Sequence, residues 1–337
     1  MINIMTVNSY STEIVEKLDD LAFLQSAGRL WETIPMLFYL IGVTVVALRT
    51  NMTVLEKSSF AQISATIITL PFILSLSKLF GTRPALHNIE GKSYLSVGFI
   101  QVRSTFHKIR TKHPEAAKFL IAMAFFESAT VSIVQLSITY LKSQLKIQDP
   151  NKFIVFCVVM MLPAVVATPR FVKKCGGTKK ALQIILILLF STTIFLTLFV
   201  HKPEHSAMLV LVGGLFGLGI GSIQSIQRSF YLCVVPSGNE AEMFGIYVLF
   251  TQILGFLPNL IFSVCNELLG SIRFATLVLF LFHFVGFVLV SRVDYEKGRR
   301  EASASDHLRI KSTRILSPAD SEKKVIPIPK IQLEETL

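Results

Sequence analysis

A chain of 337 residues, 52% of them hydrophobic, holds more apolar material than one soluble core can use. That excludes an ordinary soluble domain and points to an all-α integral membrane protein with several spans, each needing roughly 20 apolar residues. The net charge of +11 does not indicate nucleic acid as a partner. Lys and Arg fall between apolar runs and in the last stretch of chain, not on one folded face. They read as topology signals and as attraction to anionic headgroups, so the partner they imply is the lipid bilayer.

Residues 1–30 are mixed and lack the unbroken apolar core of a cleavable signal, so the first span is expected to serve as the membrane address. Within them, 11–29 has the spacing of an amphipathic helix with Ile14, Val15, Leu18, Leu21 and Ala22 on one face. The first apolar run, Pro35 to Leu48, is short, with Trp31 as an interfacial anchor and with Arg29 and Glu32 expected to limit its extension. The second run, Phe60 to Phe80, contains Pro71 as an expected kink. A basic loop over 81–115 follows, and within it 94–109 has the pattern of a helix lying on the membrane surface.

Six further spans are predicted over 116–141, 153–167, 181–200, 207–226, 244–265 and 272–290. Their short connections make sequential neighbours antiparallel. From Ser291 on, the chain is polar and is expected to be a disordered tail carrying a Ser317-Pro318 phosphorylation dipeptide. Eight spans place both termini on one side. The Lys and Arg of the termini and alternate loops, above all Arg170, Lys173, Lys174, Lys179 and Lys180, assign that side to the cytosol. The expected organisation is thus a cytosolic segment (1–30), two spans (31–80), a basic loop (81–115), a six-helix bundle (116–290) and a tail (291–337).

Chemistry-bearing residues inside apolar runs deserve separate weight. Glu127 stands near the middle of the third span, where a carboxylate costs about 3 kcal/mol on insertion scales. Ser128, Ser132, Gln135 and Thr139 follow at helical spacing, so one face carries a polar stripe with Glu127 at its edge. The stripe fits either a proton- or amine-binding group lining a cavity or a hydrogen-bonded carboxyl joining two helices.

In the sixth span Gly213, Gly217 and Gly221 recur every four residues, a small-residue stripe that lets another helix approach closely. A nucleotide-binding glycine loop would need a preceding strand, which an apolar run does not contain. Gln224 and Arg228 lie one turn apart further along, with Tyr231 a turn beyond. Arg228 suits a substrate carboxylate, an ion pair with Glu240 or Glu242 as a gate, or a headgroup contact.

In the seventh span Tyr247, Thr251 and Gln252 share a broad face, and Gly255 and Pro258 mark a break of the kind that surrounds transporter sites or simply kinks a helix. His283 in the last span reads as a satisfied core histidine or a proton relay. Pro203 between His201 and His205 speaks against a helical ligand pair. Cys157, Cys175, Cys233 and Cys265 form no CxxC pair and read as small core residues. No metal or cofactor is therefore expected. Asn51-Met-Thr53 is a glycosylation sequon close to the membrane. An intramembrane hydrolase would have only Ser222 and His283 to draw on, with no nucleophile motif, and no enzyme activity is expected.

The run from Gly217 to Tyr247 resembles the signature of the autophagy-related vacuole effluxers, a branch of the major facilitator superfamily. The residues that carry the likeness are Gln224, Arg228, Ser229, Pro236, Gly238, Glu240, Ala241, Glu242, Phe244, Gly245 and Tyr247. Gly91-Lys-Ser-Tyr-Leu-Ser-Val-Gly-Phe and Val293-Asp-Tyr-Glu-Lys-Gly-Arg resemble the family's central loop and the segment after its last helix.

The resemblance implies a major-facilitator-type bundle of about eight transmembrane helices, the second six-helix half complete and the first partial. It implies a vacuolar (lysosome-like) membrane protein exporting amino acids to the cytosol after autophagic degradation, with proton coupling through Glu127 as an added expectation. The other reading is a truncated or degenerate, non-transporting protein that binds a membrane protein partner or a complementary half. Two departures stand out. Glu127-Ser128 replaces an acidic-Gly pair, and Leu257-Pro258-Asn259 replaces a Gly-Pro.

Overall fold

The computed structural model describes residues 20–50, 53–79, 94–147, 151–200, 208–236 and 240–304. The sequon at Asn51, the loop at 80–93, His201, His205, Gly238 and the tail with Ser317 lie outside the described residues. Among the described residues every regular element is helical. In order they are α1 (Leu21–Arg49), α2 (Val54–Leu79), α3 (Tyr94–Lys112), α4 (Pro114–Ser143), α5 (Asn151–Lys174), α6 (Thr178–Phe199), α7 (Met208–Val234), α8 (Glu240–Ile253), α9 (Leu257–Leu269), α10 (Ile272–Ala275), α11 (Leu277–Ser291) and α12 (295–304).

Among the described residues, eight helical stretches are long and apolar enough to cross a bilayer. One correction concerns the first. It starts at Leu21, fourteen residues before the apolar run, and passes straight through Arg29 and Glu32. Those two charges do not stop the helix because they pair with each other one turn apart at 2.7 Å.

The chain divides into two compact units, one of residues up to Thr33 with those from Val102 on, the other Ile34–Gln101. In the smaller unit Thr53 and Glu56 form a reciprocal cap at the start of α2, the Thr53 N–H donating to Glu56 at 2.8 Å and the Glu56 N–H to the Thr53 hydroxyl at 3.4 Å. The Tyr39 hydroxyl donates to the Ala61 carbonyl and stands 3.1 Å from Ser64 Oγ, tying α1 to α2.

In the larger unit the most intimate pairing is α5 with α7. A Cβ on Gly217 would run into the Cys157 carbonyl and stand 2.8 Å from Met160 Cβ. On Gly221 it would stand 2.8 Å from the Met161 carbonyl, and on Gly213 2.9 Å from the Phe153 ring. Glycine at these three positions lets two backbones touch, and the gain is dispersion contact along the whole seam. Gly219 faces the other way, where an added Cβ would stand 2.5 Å from Leu189 Cδ2 of α6.

The helix ends are tied with equal care. Pro114 sits in the first turn of α4, and the preceding His113 takes a non-helical conformation (φ −130°, ψ 62°) that separates α3 from α4. The basic turn between α5 and α6 closes through Gly176 and Gly177 at φ 74° and 124°, values that exclude most side chains. At the far end of α6 the orphan carbonyls of Thr197, Leu198 and Val200 accept from Arg273 and Tyr140. At the near end Lys179 donates to the carbonyls of Ser291 and Val293 that close α11.

Candidate functional site

Glu127, 6% exposed, is presented by the middle of α4 to the polar end of α7. Gln224 Nε2 donates to Glu127 Oε1 at 2.7 Å, and Gln227 Nε2 donates to Oε2 at 3.0 Å. The two glutamines also meet each other, Gln227 Nε2 lying 3.3 Å from Gln224 Oε1. Spacing of three residues puts both amides on one helix face, and the glycine seam holds that face against its neighbours. The carboxyl is thus met by two uncharged donors. Among the described residues no cation lies within ion-pair distance of it.

Tyr247 comes up from α8 beside this group. Its side chain is 3% exposed and borders Glu127, Arg228 and Gln227. Its hydroxyl makes no well-formed hydrogen bond among the described residues, and neither does Gln227 Oε1. Arg228, itself buried, reaches Glu32 of α1 at 3.4 Å, and Glu32 in turn holds Arg29. The result is a polar cluster of two carboxyls, the buried Glu127 and the half-exposed Glu32, with the Arg228 guanidinium and with a tyrosine hydroxyl and an amide oxygen that make no well-formed hydrogen bond among the described residues. That combination can receive a small polar or zwitterionic solute, because unpaired buried polar atoms gain a partner when it arrives.

Below the cluster, towards the basic end, the bundle is closed by aromatic rings. Phe119 and Phe230 stack with centroids 4.2 Å apart, and Tyr231 packs on Phe244 and Tyr247 at 5.4 and 5.1 Å. The Tyr231 hydroxyl is satisfied by the Met243 carbonyl at 2.9 Å.

The structure therefore brings together Glu127, Gln224, Arg228 and Tyr247 of the residues expected from sequence. It adds Gln227 and Glu32. Gln227 carried a signal, being three residues from Gln224 in an apolar run, whereas nothing in the spacing linked Glu32 to a residue 196 positions away.

Other candidates fall elsewhere. Ser128 and Thr251 spend their hydroxyls on their own helices, at Phe125 and Val248. Ser132 is fully buried with no hydrogen-bond partner among the described residues. Gln135 is exposed and accepts from Asn259 at 2.9 Å. The expected pairing of Arg228 with Glu240 or Glu242 is replaced by Glu32. Glu242 instead accepts from the Thr105 hydroxyl of α3. His283 is wholly buried. Its Nδ1 lies 2.8 Å from the Leu279 carbonyl, which can only accept, so Nδ1 carries the hydrogen and Nε2 faces Thr130 at 3.2 Å.

The chain was compared with known proteins. The family described as "Vacuole effluxer Atg22 like" matches residues 10–303. Autophagy-related protein 22 of Kluyveromyces lactis is 25% identical over 192 residues, covering 55% of this chain and 39% of that protein. The Saccharomyces cerevisiae protein of the same name is 22% identical over 250 residues, covering 70% and 46%. That of Cryptococcus neoformans is 25% identical over 227 residues, covering 63% and 40%. The chain thus spans less than half the length of these relatives. No solved structure matches it.

Proposed function

We propose that this chain, which belongs to the Atg22-like vacuole effluxer family, acts in a vacuolar or lysosome-like membrane as a facilitator-type transporter exporting amino acids to the cytosol after autophagic degradation. Eight span-length helices support a multi-pass membrane protein, and family membership supports transport of a small solute over enzymatic chemistry. The basic turn at 170–180 and the polar C-terminal stretch support a cytosolic placement of both termini.

The observation that carries the chemistry is the Glu127 carboxyl, buried at mid-helix and hydrogen-bonded, among the described residues, by Gln224 and Gln227. An ionisable group at that depth is expensive to keep and marks a solute or proton site. In this reading Glu127 binds a proton or the solute's ammonium group. Arg228 takes the α-carboxylate when its long contact to the half-exposed Glu32 opens, since a planar guanidinium fork matches a carboxylate better than one 3.4 Å contact does. Tyr247 supplies a further donor. Alternate exposure follows from helices moving about the close-packed glycine seam, with solute bound near mid-membrane.

Uptake of a panel of labelled amino acids into liposomes holding the full chain tests the reading. Wild-type protein is expected to take up one class of amino acid with a rate that depends on pH, and Glu127→Gln is expected to flatten that dependence. If Glu127→Gln leaves uptake and its pH profile intact, the coupling role is wrong. If folded wild-type protein moves none of the panel, amino-acid transport itself is wrong.

A further inference from the structure

A second polar feature lies further along α4 and is not part of the Glu127 cluster. Glu127 of α4 meets Tyr247, and eight residues on Gln135 meets Asn259. Both partners ascend in number together, so α4 and the α8–α9 pair run parallel. Eight residues of helix are about 12 Å. The amide pair is therefore a separate level, displaced from Glu127 away from the basic end.

Its depth is still that of the hydrocarbon. Gln135 lies between six and seven residues from the centre of α4, or about 10 Å, inside a half-thickness of about 15 Å. Asn259 is closer to the centre of its own span. Yet the Gln135 side chain is exposed, and so are Thr139 and Ser263 one turn further along. Asn259 is half-buried, its Nδ2 committed to Gln135 and its Oδ1 enclosed without a partner among the described residues. Lipid offers nothing to the exposed amide hydrogens of Gln135.

The backbone explains why the row opens. Pro258 has no N–H for the Leu254 carbonyl, which accepts from Leu257 at 2.9 Å instead, and Gly255 closes back on Gln252 at 3.0 Å. The span breaks there. Below the break α8 packs along α4, whereas α9 beyond it packs on α4 less extensively. Val131, Val134, Leu260 and Val264 flank the row and are exposed as well, so a few hydrogen-bonding groups lie among apolar side chains.

We propose that the exposed row Gln135–Asn259, continued by Thr139 and Ser263, is a water-lined binding station for the neutral, hydrogen-bonding side chain of a polar solute. The row carries amides and hydroxyls and no charge, so it suits carboxamide or hydroxyl groups and not a second ammonium or carboxylate. This rests on the transport reading for its ligand class, while its access to water stands independently. A solute would meet this level before the Glu127 cluster when approaching from the side opposite the basic turns.

Thiol chemistry tests it on the full chain in liposomes. The partly exposed Cys175 and Cys265 are changed to Ser. Gln135→Cys and Asn259→Cys are then treated with a charged, membrane-impermeant methanethiosulfonate. Ile187→Cys of α6 and Leu281→Cys of α11, exposed apolar positions on other helices, serve as lipid-facing controls. A thiol whose pKa is raised by one unit in lipid presents roughly tenfold less thiolate, so the two test positions are expected to react at least that much faster than the controls.

Glutamine or serine in the buffer is expected to slow their labelling, and arginine or glutamate is not. Thr139→Cys and Ser263→Cys repeat the measurement if either amide variant fails to fold. Labelling no faster than the controls at all foldable positions overturns the inference and leaves the row in contact with lipid or another chain. Fast labelling that no neutral polar amino acid slows overturns the binding claim. Labelling and protection as expected, without uptake, would sink the transport reading and leave this station standing.

Discussion

Helix α4 carries two buried glutamates twelve residues apart, and their surroundings differ in kind. Glu115 is 1% exposed and sits at the basic end. It accepts from Lys118 at 2.8 Å and from the Asp294 backbone N–H at 2.8 Å, with Lys297 at 3.8 Å. Around it α12 docks closely. Tyr295 packs on Phe230 at 5.0 Å, Arg299 lies over the Tyr295 ring, and a Cβ on Gly298 would stand 2.9 Å from Val234. Burial holds the Tyr295 phenol above its ordinary pKa.

Among the described residues Glu127 is hydrogen-bonded by two amides. A carboxylate between two lysines and an N–H is anchored as a charge and joins elements together. One held by two amides has its hydrogen bonds met with no counter-charge at ion-pair distance among the described residues, so a solute cation would find an unpartnered carboxyl there. The Val-Asp-Tyr-Glu-Lys-Gly-Arg segment is accordingly a structural clasp, while the Gln224 and Arg228 segment is the candidate for function.

The largest effect expected is from Gly217→Leu. It drives a side chain into the α5 backbone at Cys157, an overpacking of about 3 kcal/mol or more. The thermal midpoint in detergent should fall steeply, and the α7 amides should leave Glu127 while the Glu115 clasp persists. A wild-type midpoint would show that the seam can separate at no loss.

Glu115→Ala comes next. It strands the Asp294 N–H and removes the anchor of two half-exposed lysines, a loss of about 1–3 kcal/mol. It should raise hydrogen exchange across α12 without altering the pH profile of uptake. Glu127→Gln inverts that pattern, with a stability change within about 1 kcal/mol and a flattened pH profile. If these two variants gave the same phenotype, the distinction between the glutamates would fail.

The smallest effect concerns acid. The Lys297 backbone N–H, donating at 3.0 Å, holds the Asp294 carboxyl below its ordinary 3.8. A depressed folded pKa means its contribution is present above the unfolded value and is lost as pH falls through the folded one. Exchange protection of α12 should thus be flat from neutrality to about pH 4 and decline below it. Asp294→Asn should lessen the decline, leaving the part owed to Glu115, whose carboxyl, despite burial, is held below its ordinary value by Lys118 and the Asp294 N–H. A midpoint near pH 6 would point to another group.

The residues of the candidate site were unevenly legible. Glu127 announces itself because a carboxylate in an apolar run has few structural excuses, and Gln224 and Arg228 do so for the same reason. Gln227 was visible but unweighted. In the sequence Glu32 is a charge at the edge of an apolar run, which predicts a limit to the helix. Only the fold shows that it neutralises Arg29 one turn away and reaches Arg228 across the bundle. The stripe Ser128, Ser132, Gln135 and Thr139 has uniform spacing but not one environment. Helical periodicity assigns a direction around an axis, and what stands in that direction changes where α8 breaks into α9.

By itself the sequence determined the class, the number of spans, the glycine stripe and the family, because hydrophobic length, residue size and motif order are local properties of the chain. Tertiary structure alone decided which carboxyl meets cations and which meets amides, that Arg228 turns to α1, and that Gln135 finds Asn259. Those are pairings between residues separated by 97 to 196 positions, and no spacing rule within one helix reaches across to another.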